Sequence, residues 1–247
     1  MDNLKNKIAV ITGGNSGIGY ATAKQLKEQD ATVIITGRRK EAIEKAASEL
    51  GVTSIVADQS SIADIENLAS IVKEDFGSVD ILFINAGIAG LGNIEQATEV
   101  LFDSIMNVNF KGAYFTLSRF IPILKDNASV VFLSSNTASM PGPGSSIYSS
   151  SKTALNSVMK SAAVELAPRK IRVNSVSPGP TETEVMNKVG LDAATVKSIM
   201  DVVIEKVPLK QMGASADVAK MVAYLSSDAA KFITGADFIM DGGMVLS

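Results

Sequence analysis

The chain of 247 residues contains no cysteine and no histidine. Their absence excludes disulfide bonds, thiolate nucleophiles, Ser-His-Asp catalysis and an ordinary zinc site, so we predict no bound metal. Proton transfer by this protein must therefore use tyrosine, lysine, aspartate or glutamate side chains.

The chain also lacks a long apolar run and a large excess of charge of one sign. No stretch approaches the roughly 18 apolar residues that span a bilayer, and residues 1–7 lack the apolar segment of a secretory signal. A formal net charge of -3 gives no general attraction to nucleic acids or acidic membranes. We therefore expect a cytoplasmic protein that binds neither nucleic acid nor membrane.

Short apolar runs alternate with segments that have helical spacing. The predicted strands are Lys7–Thr12, Ala31–Thr36, Val52–Ala57, Val79–Ile84, Ser129–Ser134, Ile171–Val176 and a last one from Phe238. The predicted helices include Tyr20–Glu28, Glu41–Leu50, Ile62–Phe76, Ile147–Ala167 and Asp217–Leu225. This alternation predicts an α/β fold with a doubly wound parallel sheet, in a single domain over residues 1–247.

A glycine-rich loop, Thr12-Gly-Gly-Asn-Ser-Gly-Ile-Gly19, follows the first predicted strand and precedes a helix. Its glycines would let backbone N–H groups approach a pyrophosphate at the helix N-terminus, where the helix dipole favours an anion. The candidate cofactor-binding residues here are Gly13, Asn15, Ser16, Gly17, Ile18 and Gly19. A glycine-rich turn without a ligand is the alternative.

Two arginines follow the second predicted strand, where a dinucleotide fold meets the adenosine ribose. An acidic residue there would bind the ribose 2′-hydroxyl, whereas arginine accommodates a 2′-phosphate. Arg38, with Arg39 beside it, therefore favours NADP(H) over NAD(H). The alternative is that both arginines are only the solvated start of the next helix.

Small and polar residues close the next two predicted strands. Asp58 could bind the adenine amino group or belong to a turn, and Asn85, Ala86 and Gly87 allow close backbone approach to a flat cofactor or form a tight turn. Farther along, Asn109 lies within a helical segment. Because asparagine competes for backbone hydrogen bonds, Asn109 indicates a local kink or a water site.

A serine, a tyrosine and a lysine form the strongest candidate for catalysis. Ser135 follows a predicted buried strand, and Tyr148 and Lys152 lie four residues apart on the next predicted helix. That spacing puts the two side chains on one helix face, where a cation would favour the phenolate form. The pair therefore predicts an acid/base device at the carboxyl end of a strand, where open α/β sheets bind ligands.

A rigid loop, Ser177-Pro-Gly-Pro-Thr-Glu-Thr183, follows the sixth predicted strand. Thr181 and Thr183 could donate hydrogen bonds to a carboxamide or phosphate, although Thr183 could also cap a helix. Residues 184–212, rich in apolar side chains, are interpreted as a flap over a substrate pocket or as an amphipathic helix pair.

Together these motifs resemble the short-chain dehydrogenase/reductase family over essentially the whole chain, which implies a Rossmann fold. The matching motifs are Thr12-Gly13-x3-Gly17-x-Gly19, Asn85-Ala86-Gly87, Asn109, Ser135, Tyr148-x3-Lys152 and Pro178-Gly179. The resemblance implies that Tyr148 exchanges a proton with the substrate oxygen and that Ser135 orients that oxygen. Lys152 would lower the pKa of Tyr148 and bind the nicotinamide ribose, Asn109 would hold a relay water, and the nicotinamide would lie near Pro178 and Gly179.

The resemblance also bears on cofactor choice and assembly. Family members that use NADP often carry a second basic residue in the glycine loop, where this chain has Asn15 and Ser16, so use of NAD(H) is also possible. A homotetramer is implied, with interfaces at Thr153–Leu166 and Phe238–Leu246. Three small residues, Ala154, Ala162 and Ala163, would suit close helix packing there.

The function expected is reversible reduction of ketones or aldehydes, with a small-molecule carbonyl or alcohol as substrate. Candidate pocket residues are Ala89, Leu91, Met140, Val185, Met186 and Val189. A 3-oxoacyl-(acyl carrier protein) reductase would need a basic patch, to which Lys125 and Arg169-Lys170 could contribute. A sugar dehydrogenase would use polar groups such as Asn136, Glu182 and Glu184, and a catalytically silent dinucleotide sensor is the non-enzyme alternative.

Overall fold

A parallel seven-stranded sheet lies at the centre of the computed structural model, which describes residues 4–182 and 193–247. The strands in chain order are β1 (Ile8–Thr12), β2 (Thr32–Gly37), β3 (Thr53–Val56), β4 (Val79–Ile84), β5 (Leu124–Leu133), β6 (Arg172–Pro178), β7 (Thr181–Glu182), β8 (Gly213–Ala214) and β9 (Asp237–Met240). The main sheet has the order β3-β2-β1-β4-β5-β6-β9, and β7 pairs with β8 in a small second sheet. Strand order reverses between β1 and β4, which is where open α/β sheets bind ligands.

Helices cover both faces of the main sheet. They are α1 (Gly17–Lys27), α2 (Lys40–Leu50), α3 (Ile62–Phe76), α4 (Glu99–Met106), α5 (Ala113–Phe120), α6 (Ser146–Glu165), α7 (Ala193–Glu205) and α8 (Ser215–Ser226). One core lies beneath α3, α5 and α6, and the other beneath α1, α2 and α8. The predicted doubly wound parallel sheet in a single domain is confirmed.

Successive side chains along the central strands point in turn into the two cores. In β1, Val10 packs into the first core and Ile11 into the second, and Ile34 and Ile35 of β2 divide in the same way. Strands buried on both faces need apolar residues at every position, which is why the sequence showed continuous apolar runs instead of alternation. Because the strands themselves are apolar, the polar and glycine residues of the site come after them, at their carboxyl ends.

One strand boundary differs from the sequence prediction, and the start of α3 has an additional contact. Strand β5 begins at Leu124 instead of Ser129, because Leu124 pairs with Val79 before a register shift. At the start of α3, the hydroxyl of Ser61 caps the helix by accepting a hydrogen bond from the N–H of Asp64. The carboxylate of Asp64, however, accepts from the N–H of Asp58 at 2.9 Å and so fixes the preceding turn.

The interpretation of residues 184–212 as a flap falls partly on residues 183–192, which lie outside the described part of the chain. Within that span, the structure describes helix α7 and the approach to β8. Among the described helices, none combines the length and the apolar character needed to cross a bilayer.

Candidate active site

The ends of β1 and β4 are locked together at the reversal of strand order. The hydroxyl of Thr12 accepts hydrogen bonds from the N–H groups of Asn85 and Ala86, each at 3.0 Å. The side-chain amide of Asn85 donates to the carbonyl oxygens of Thr12 and Gly13 at 2.8 and 2.9 Å. These bonds fix the glycine loop against the Asn85–Gly87 turn.

Close packing explains the glycines of this loop. A Cβ at Gly19 would collide with the carbonyl oxygen of Gly13, and one at Gly13 would lie 2.9 Å from the Cα of Ala86. The hydroxyl of Ser16 does not cap α1, and the first turn of α1 carries no acidic residue. The first N–H groups of α1 are therefore available to an anionic ligand.

A cleft of about 540 Å³ opens beside this loop. The predicted cofactor residues that line it are Gly13, Asn15, Ser16, Gly17, Ile18, Arg38, Arg39, Asp58, Asn85, Ala86 and Gly87. Gly19 is buried beneath the loop and does not line the cleft. The cradle of N–H groups and the basic rim fit a dinucleotide phosphate chain.

The two arginines lie at one end of the cleft, where β2 leads into α2. Arg38 and Arg39 are both exposed, and neither guanidinium has an ion-pair partner among the described residues. A Cβ at Gly37 would lie 3.2 Å from the side-chain oxygen of Asn15, so the loop passes close to the end of β2. Both guanidinium groups can therefore reach an added anion such as a 2′-phosphate.

Asp58 lines the same cleft and also belongs to a turn. Its carboxylate accepts hydrogen bonds from the N–H and the hydroxyl of Ser60, both at 2.8 Å. These contacts orient the carboxylate and leave one of its oxygens without a hydrogen bond among the described residues. The two interpretations of Asp58, a turn residue and an adenine ligand, are thus compatible.

Tyr148 and Lys152 lie on successive turns of α6, at the carboxyl end of β5. The ammonium nitrogen of Lys152 lies 5.7 Å from the centre of the Tyr148 ring. It donates to the carbonyl oxygen of Leu133 at 2.8 Å, at the end of β5. A Cβ at Gly87 would lie 3.4 Å from this nitrogen, so the Asn85–Gly87 turn forms one wall around Lys152.

Burial dominates the electrostatics of this pair. It lowers the pKa of Lys152 to about 8 and raises the pKa of Tyr148, an increase partly offset by a hydrogen bond with Ser135. In this structure the effect of burial on the pKa of Tyr148 outweighs that of its neighbours, and the pKa lies above the ordinary value of a phenol. The physical reason is that the ammonium group is directed towards the Leu133 carbonyl while the phenol is desolvated.

The hydroxyl of Ser135 is oriented by its neighbour. It accepts hydrogen bonds from the N–H and the hydroxyl of Thr137, at 3.2 and 3.0 Å. Because its oxygen accepts both bonds, its own proton remains available to the phenol oxygen of Tyr148. Ser135 and Tyr148 can thus hold one substrate oxygen between them.

Asn109 lies in a π-helical segment, Asn107–Gly112, that interrupts the helix between α4 and α5. Its side-chain oxygen accepts from the N–H of Ile88 at 2.8 Å. Its amide nitrogen donates to the carbonyl of Ile88 at 2.9 Å and to the hydroxyl of Ser151 at 3.2 Å. The sequence analysis missed Ser151, although its position next to Lys152 was a signal.

The described residues of the loop after β6 do not line this cleft. The N–H of Gly179 donates to the carbonyl of Met240, and the hydroxyl of Thr181 donates to the carbonyl of Gly179, both at 3.0 Å. Thr181 and Pro180 border a second cavity of about 470 Å³. Pro178 ends β6 on the side of the sheet where the strands have their carboxyl ends, as Ser135 follows the end of β5. Thr183 lies outside the described residues.

The candidate substrate residues lie on two adjacent loops. Leu91 is 81% exposed and Met140 is half-buried. The N–H of Gly92 donates to the carbonyl of Gly144 at 2.8 Å, which ties the two loops together. Ala89 is exposed on the first loop. The other candidates, Val185, Met186 and Val189, lie outside the described residues.

The fold and the site define a dinucleotide-binding α/β protein with a serine, a tyrosine and a lysine beside its cleft. The chain matches, over residues 13–245, the family model described as Enoyl-(Acyl carrier protein) reductase. Human dehydrogenase/reductase SDR family member 4 is 33% identical over 250 residues, which cover 98% of this chain and 88% of that protein. The NADP-dependent (R)-specific alcohol dehydrogenase of Lentilactobacillus kefiri is 35% identical over 251 residues, or 98% of each chain.

Solved structures agree with these sequence relatives. A short-chain dehydrogenase/reductase from Brucella melitensis, titled glucose/ribitol dehydrogenase, superposes with a TM-score of 0.89 at 30% identity and covers 98% of both chains. One from Serratia marcescens gives a TM-score of 0.91 at 30% identity and covers 98% of this chain and 99% of its own. The chain therefore belongs to the short-chain dehydrogenase/reductase family of oxidoreductases.

Proposed function

We propose that this protein is an NADP(H)-dependent oxidoreductase that reversibly reduces ketones or aldehydes to alcohols. The observation that carries the proposal is the group formed by Ser135, Tyr148 and Lys152. It lies at the carboxyl ends of the strands, on the side of the sheet where the cleft opens. In this arrangement Tyr148 would serve as a proton donor beside a bound dinucleotide. The alcohol dehydrogenase from Lentilactobacillus kefiri supports the reaction type.

The site residues suggest a division of labour in the reduction. The dinucleotide supplies the hydride to the carbonyl carbon when it is bound. The hydroxyl of Ser135 donates a hydrogen bond that orients the carbonyl oxygen, and the phenol of Tyr148 gives that oxygen its proton. The ammonium group of Lys152 stabilises the phenolate left on Tyr148, because a nearby positive charge favours the anion. In alcohol oxidation the same proton returns to Tyr148.

After a reduction, Tyr148 must regain its proton, and we assign this step to Lys152. Both N–H groups of the Asn109 carboxamide are used by Ile88 and Ser151, and its oxygen already accepts from Ile88, so the side chain offers the expected relay water only one remaining lone pair. We assign that water to the backbone carbonyl of Asn109, since a π-helical segment disturbs the regular hydrogen-bond ladder of the helix. The relay would connect Lys152 to solvent without a histidine.

The preference for NADP(H) is supported by Arg38 and Arg39, which lie exposed at the cleft without ion-pair partners among the described residues. A guanidinium group binds a phosphate with charge-assisted hydrogen bonds. Asn15 and Ser16 add no positive charge in the glycine loop, so we expect measurable activity with NADH as well.

A reductase for substrates on an acyl carrier protein is the second candidate, which the description of the matching family model favours. The basic residues suggested for carrier binding do not support it. Lys125 pairs with Asp80 at 2.9 Å and Arg169 pairs with Asp126 at 2.9 Å, at the amino ends of the strands and away from the cleft. A carrier would need another basic surface.

Of the described polar residues suggested for a sugar dehydrogenase, only Asn136 lies near the site. The buried side chain of Asn136 donates to the sulfur of Met244 at 3.7 Å, while Glu182 is exposed on β7 and Glu184 lies outside the described residues. The Brucella melitensis structure is titled glucose/ribitol dehydrogenase. A silent dinucleotide sensor is disfavoured because Ser135, Tyr148, Lys152 and Asn109 are all in place.

We also propose a cytoplasmic homotetramer. The exposed face of α6 carries Thr153, Ser157 and the 76% exposed side chain of Val164, which leaves this helix open to a second copy. Ala162 and Ala163, which we expected in that interface, are buried in the chain's own core because they face the sheet. The C-terminal edge strand β9 offers the second surface.

The experiment that tests the proposed function follows the absorbance of NADPH, and separately NADH, with aliphatic ketones, aryl ketones, oxoesters, aldoses and an acyl thioester. We expect turnover of simple ketones, faster with NADPH. Tyr148→Phe should reduce turnover by roughly a thousandfold or more while the variant still binds NADPH in calorimetry. Tyr114→Phe is the matched control, because Tyr114 is 47% exposed on α5. Ketone reduction by Tyr148→Phe at the parent rate would refute the assignment of the proton donor.

A further inference from the structure

Ser151, the residue before Lys152, is fully buried on the inner face of α6. Its hydroxyl donates to the backbone carbonyl of Tyr148 at 2.6 Å and accepts from the side-chain amide of Asn109 at 3.2 Å. A buried hydroxyl thus joins the backbone of one candidate catalytic residue to the side chain of another. The division of labour described above gives Ser151 no role.

The hydrogen bonds of Asn109 show why this contact matters. The N–H of Ile88 requires the amide oxygen of Asn109, and the carbonyl of Ile88 requires its amide nitrogen. These two bonds fix the orientation of the carboxamide. A flipped amide would place its nitrogen against the N–H of Ile88 and its oxygen against the carbonyl of Ile88. The remaining N–H of the carboxamide has the Ser151 hydroxyl as its acceptor.

The direction of the Ser151 hydroxyl follows from its helical position. A serine in a helix can donate to a carbonyl on the preceding turn, and Ser151 donates to Tyr148, three residues earlier. Since its proton is used there, a lone pair of its oxygen is left for Asn109. The direction of the donor chain is therefore unique, from Asn109 to Ser151 and from Ser151 to Tyr148.

This chain of contacts continues to Lys152. Asn109 holds both backbone groups of Ile88, and the preceding residue, Gly87, packs so closely that an added Cβ would lie 3.3 Å from Asn109 and 3.4 Å from the Lys152 nitrogen. The backbone of Gly87, held in place through its neighbour Ile88, thus forms the wall beside the ammonium group. Its position depends on the carboxamide of Asn109.

We propose that Ser151 is a positioning residue for the reaction, which holds the Asn109 carboxamide and through it the Gly87–Ile88 backbone against Lys152. The proposal deepens the proposed function and rests on it. Ser151→Ala removes the acceptor and leaves one N–H of Asn109 buried without a partner. The carboxamide is then held by two hydrogen bonds instead of three, so it opens away from Ile88 more often.

The matched control is Ser129→Ala in strand β5. Ser129 is as deeply buried as Ser151, and its hydroxyl donates to the carbonyl of Leu225 at 2.9 Å, but it has no contact with the candidate site. Both variants lose one buried hydroxyl, so both should be destabilised to a similar extent. A difference between them in the measurements below reports on the site and not on stability.

The first measurement is hydrogen exchange of the Asn109 side-chain amide by NMR, with its resonances identified as the pair missing from Asn109→Ala. We expect slow exchange in the parent and in Ser129→Ala, and exchange at least about tenfold faster in Ser151→Ala. Equal exchange in Ser151→Ala and Ser129→Ala would overturn the proposal, because the hydroxyl would then not hold the carboxamide.

The second measurement is ketone reduction by Ser151→Ala, Asn109→Ala and the double variant. We expect kcat to fall roughly ten- to a hundredfold in Ser151→Ala, with a smaller change in the KM for NADPH, since small errors in position act on the chemical step. Because Ser151 acts through Asn109, the double variant should be no slower than Asn109→Ala. Losses that multiply in the double variant would overturn the proposal.

The two measurements separate this inference from the proposed function. If the parent reduces no carbonyl compound, the proposed function fails and the role of Ser151 in that reaction fails with it. Faster amide exchange in Ser151→Ala would in that case still establish the contact with Asn109. If the parent is active and Ser151→Ala behaves like Ser129→Ala in kcat, the proposed function stands and the inference about Ser151 is wrong.

Discussion

The environment of Lys152 determines the pH dependence that we expect for ketone reduction. Burial lowers the pKa of Lys152 to about 8 and raises that of Tyr148. As the pH rises through about 8, the ammonium form of Lys152 is lost first, while the phenol keeps the proton that it must donate. We therefore expect kcat/KM for a ketone to be constant below this pH and to fall above it.

The measurement is kcat/KM from about pH 6 to about pH 10 for the parent and for Lys152→Arg. A guanidinium group stays charged throughout this range, so the decline should move to higher pH in the variant. Lys160→Arg, an exposed lysine on the same helix, is the control that should leave the profile unchanged. An identical decline in Lys152→Arg would show that another group causes it.

Arg38 is the residue on which the choice between NADPH and NADH should depend. Arg38→Asp removes the charge that a 2′-phosphate would bind and adds a carboxylate suited to a ribose hydroxyl. We expect the ratio of kcat/KM for NADPH over NADH to fall roughly ten- to a hundredfold. Arg39→Asp, measured in parallel, shows how much the neighbouring charge contributes. An unchanged ratio in Arg38→Asp would exclude Arg38 as the discriminating residue.

The π-helical segment is the element that brings Asn109 to the site, and its last residue, Gly112, depends on close packing. A Cβ at Gly112 would overlap the backbone oxygen of Gln59. The backbone at Gly112 is ordinary right-handed helix, so any cost of Gly112→Ala comes from this overlap and not from its conformation.

We expect Gly112→Ala to reduce the free energy of unfolding by roughly 2 to 3 kcal/mol, as overpacking of a rigid site does. Gly142→Ala is the control, because nothing lies within 4 Å of a Cβ at Gly142. Urea denaturation of both variants gives the comparison. A midpoint for Gly112→Ala equal to that of the parent would mean that the segment does not pack on Gln59.

The elements differ in how well the sequence predicts them. The strands and helices of the sheet could be predicted because each shows a local pattern, and a kink at Asn109 followed from the poor fit of asparagine to a helix. The partners of Asn109 could not be predicted, since Ile88 and Ser151 are distant in sequence and contact it only in the folded chain. Ala162 and Ala163 were misassigned because small residues suit an internal contact as well as an interface.

At the scale of the whole molecule, charge is distributed differently at the two ends of the strands. At the amino ends, Asp80 pairs with Lys7 and Lys125, and Arg169 pairs with Asp126. At the carboxyl ends, Arg38 and Arg39 remain without ion-pair partners among the described residues, beside the N-terminus of α1. Positive charge that an anionic cofactor can use is therefore concentrated where the cleft opens.

The two edges of the main sheet offer a matched test of assembly. Strand β9 forms one edge and carries Ile239, which is 41% exposed, and strand β3 forms the other and carries Val56, which is 44% exposed. If four copies associate through α6 and the C-terminal strand, only the β9 edge should be buried between them. Ile239→Glu should then break the tetramer into smaller species in light scattering, because an unpaired charge in an interface is costly to desolvate.

Val56→Glu places the same charge on the opposite edge and should leave the molar mass of the assembly unchanged. A parent that scatters light as a monomer would refute the tetramer directly. Equal molar mass for both variants and a tetrameric parent would keep the assembly but exclude β9 from its interface. In that case the next surface to alter would be α6, the other surface proposed for the tetramer. Its Val164 is exposed, whereas the neighbouring Ala163 faces the core.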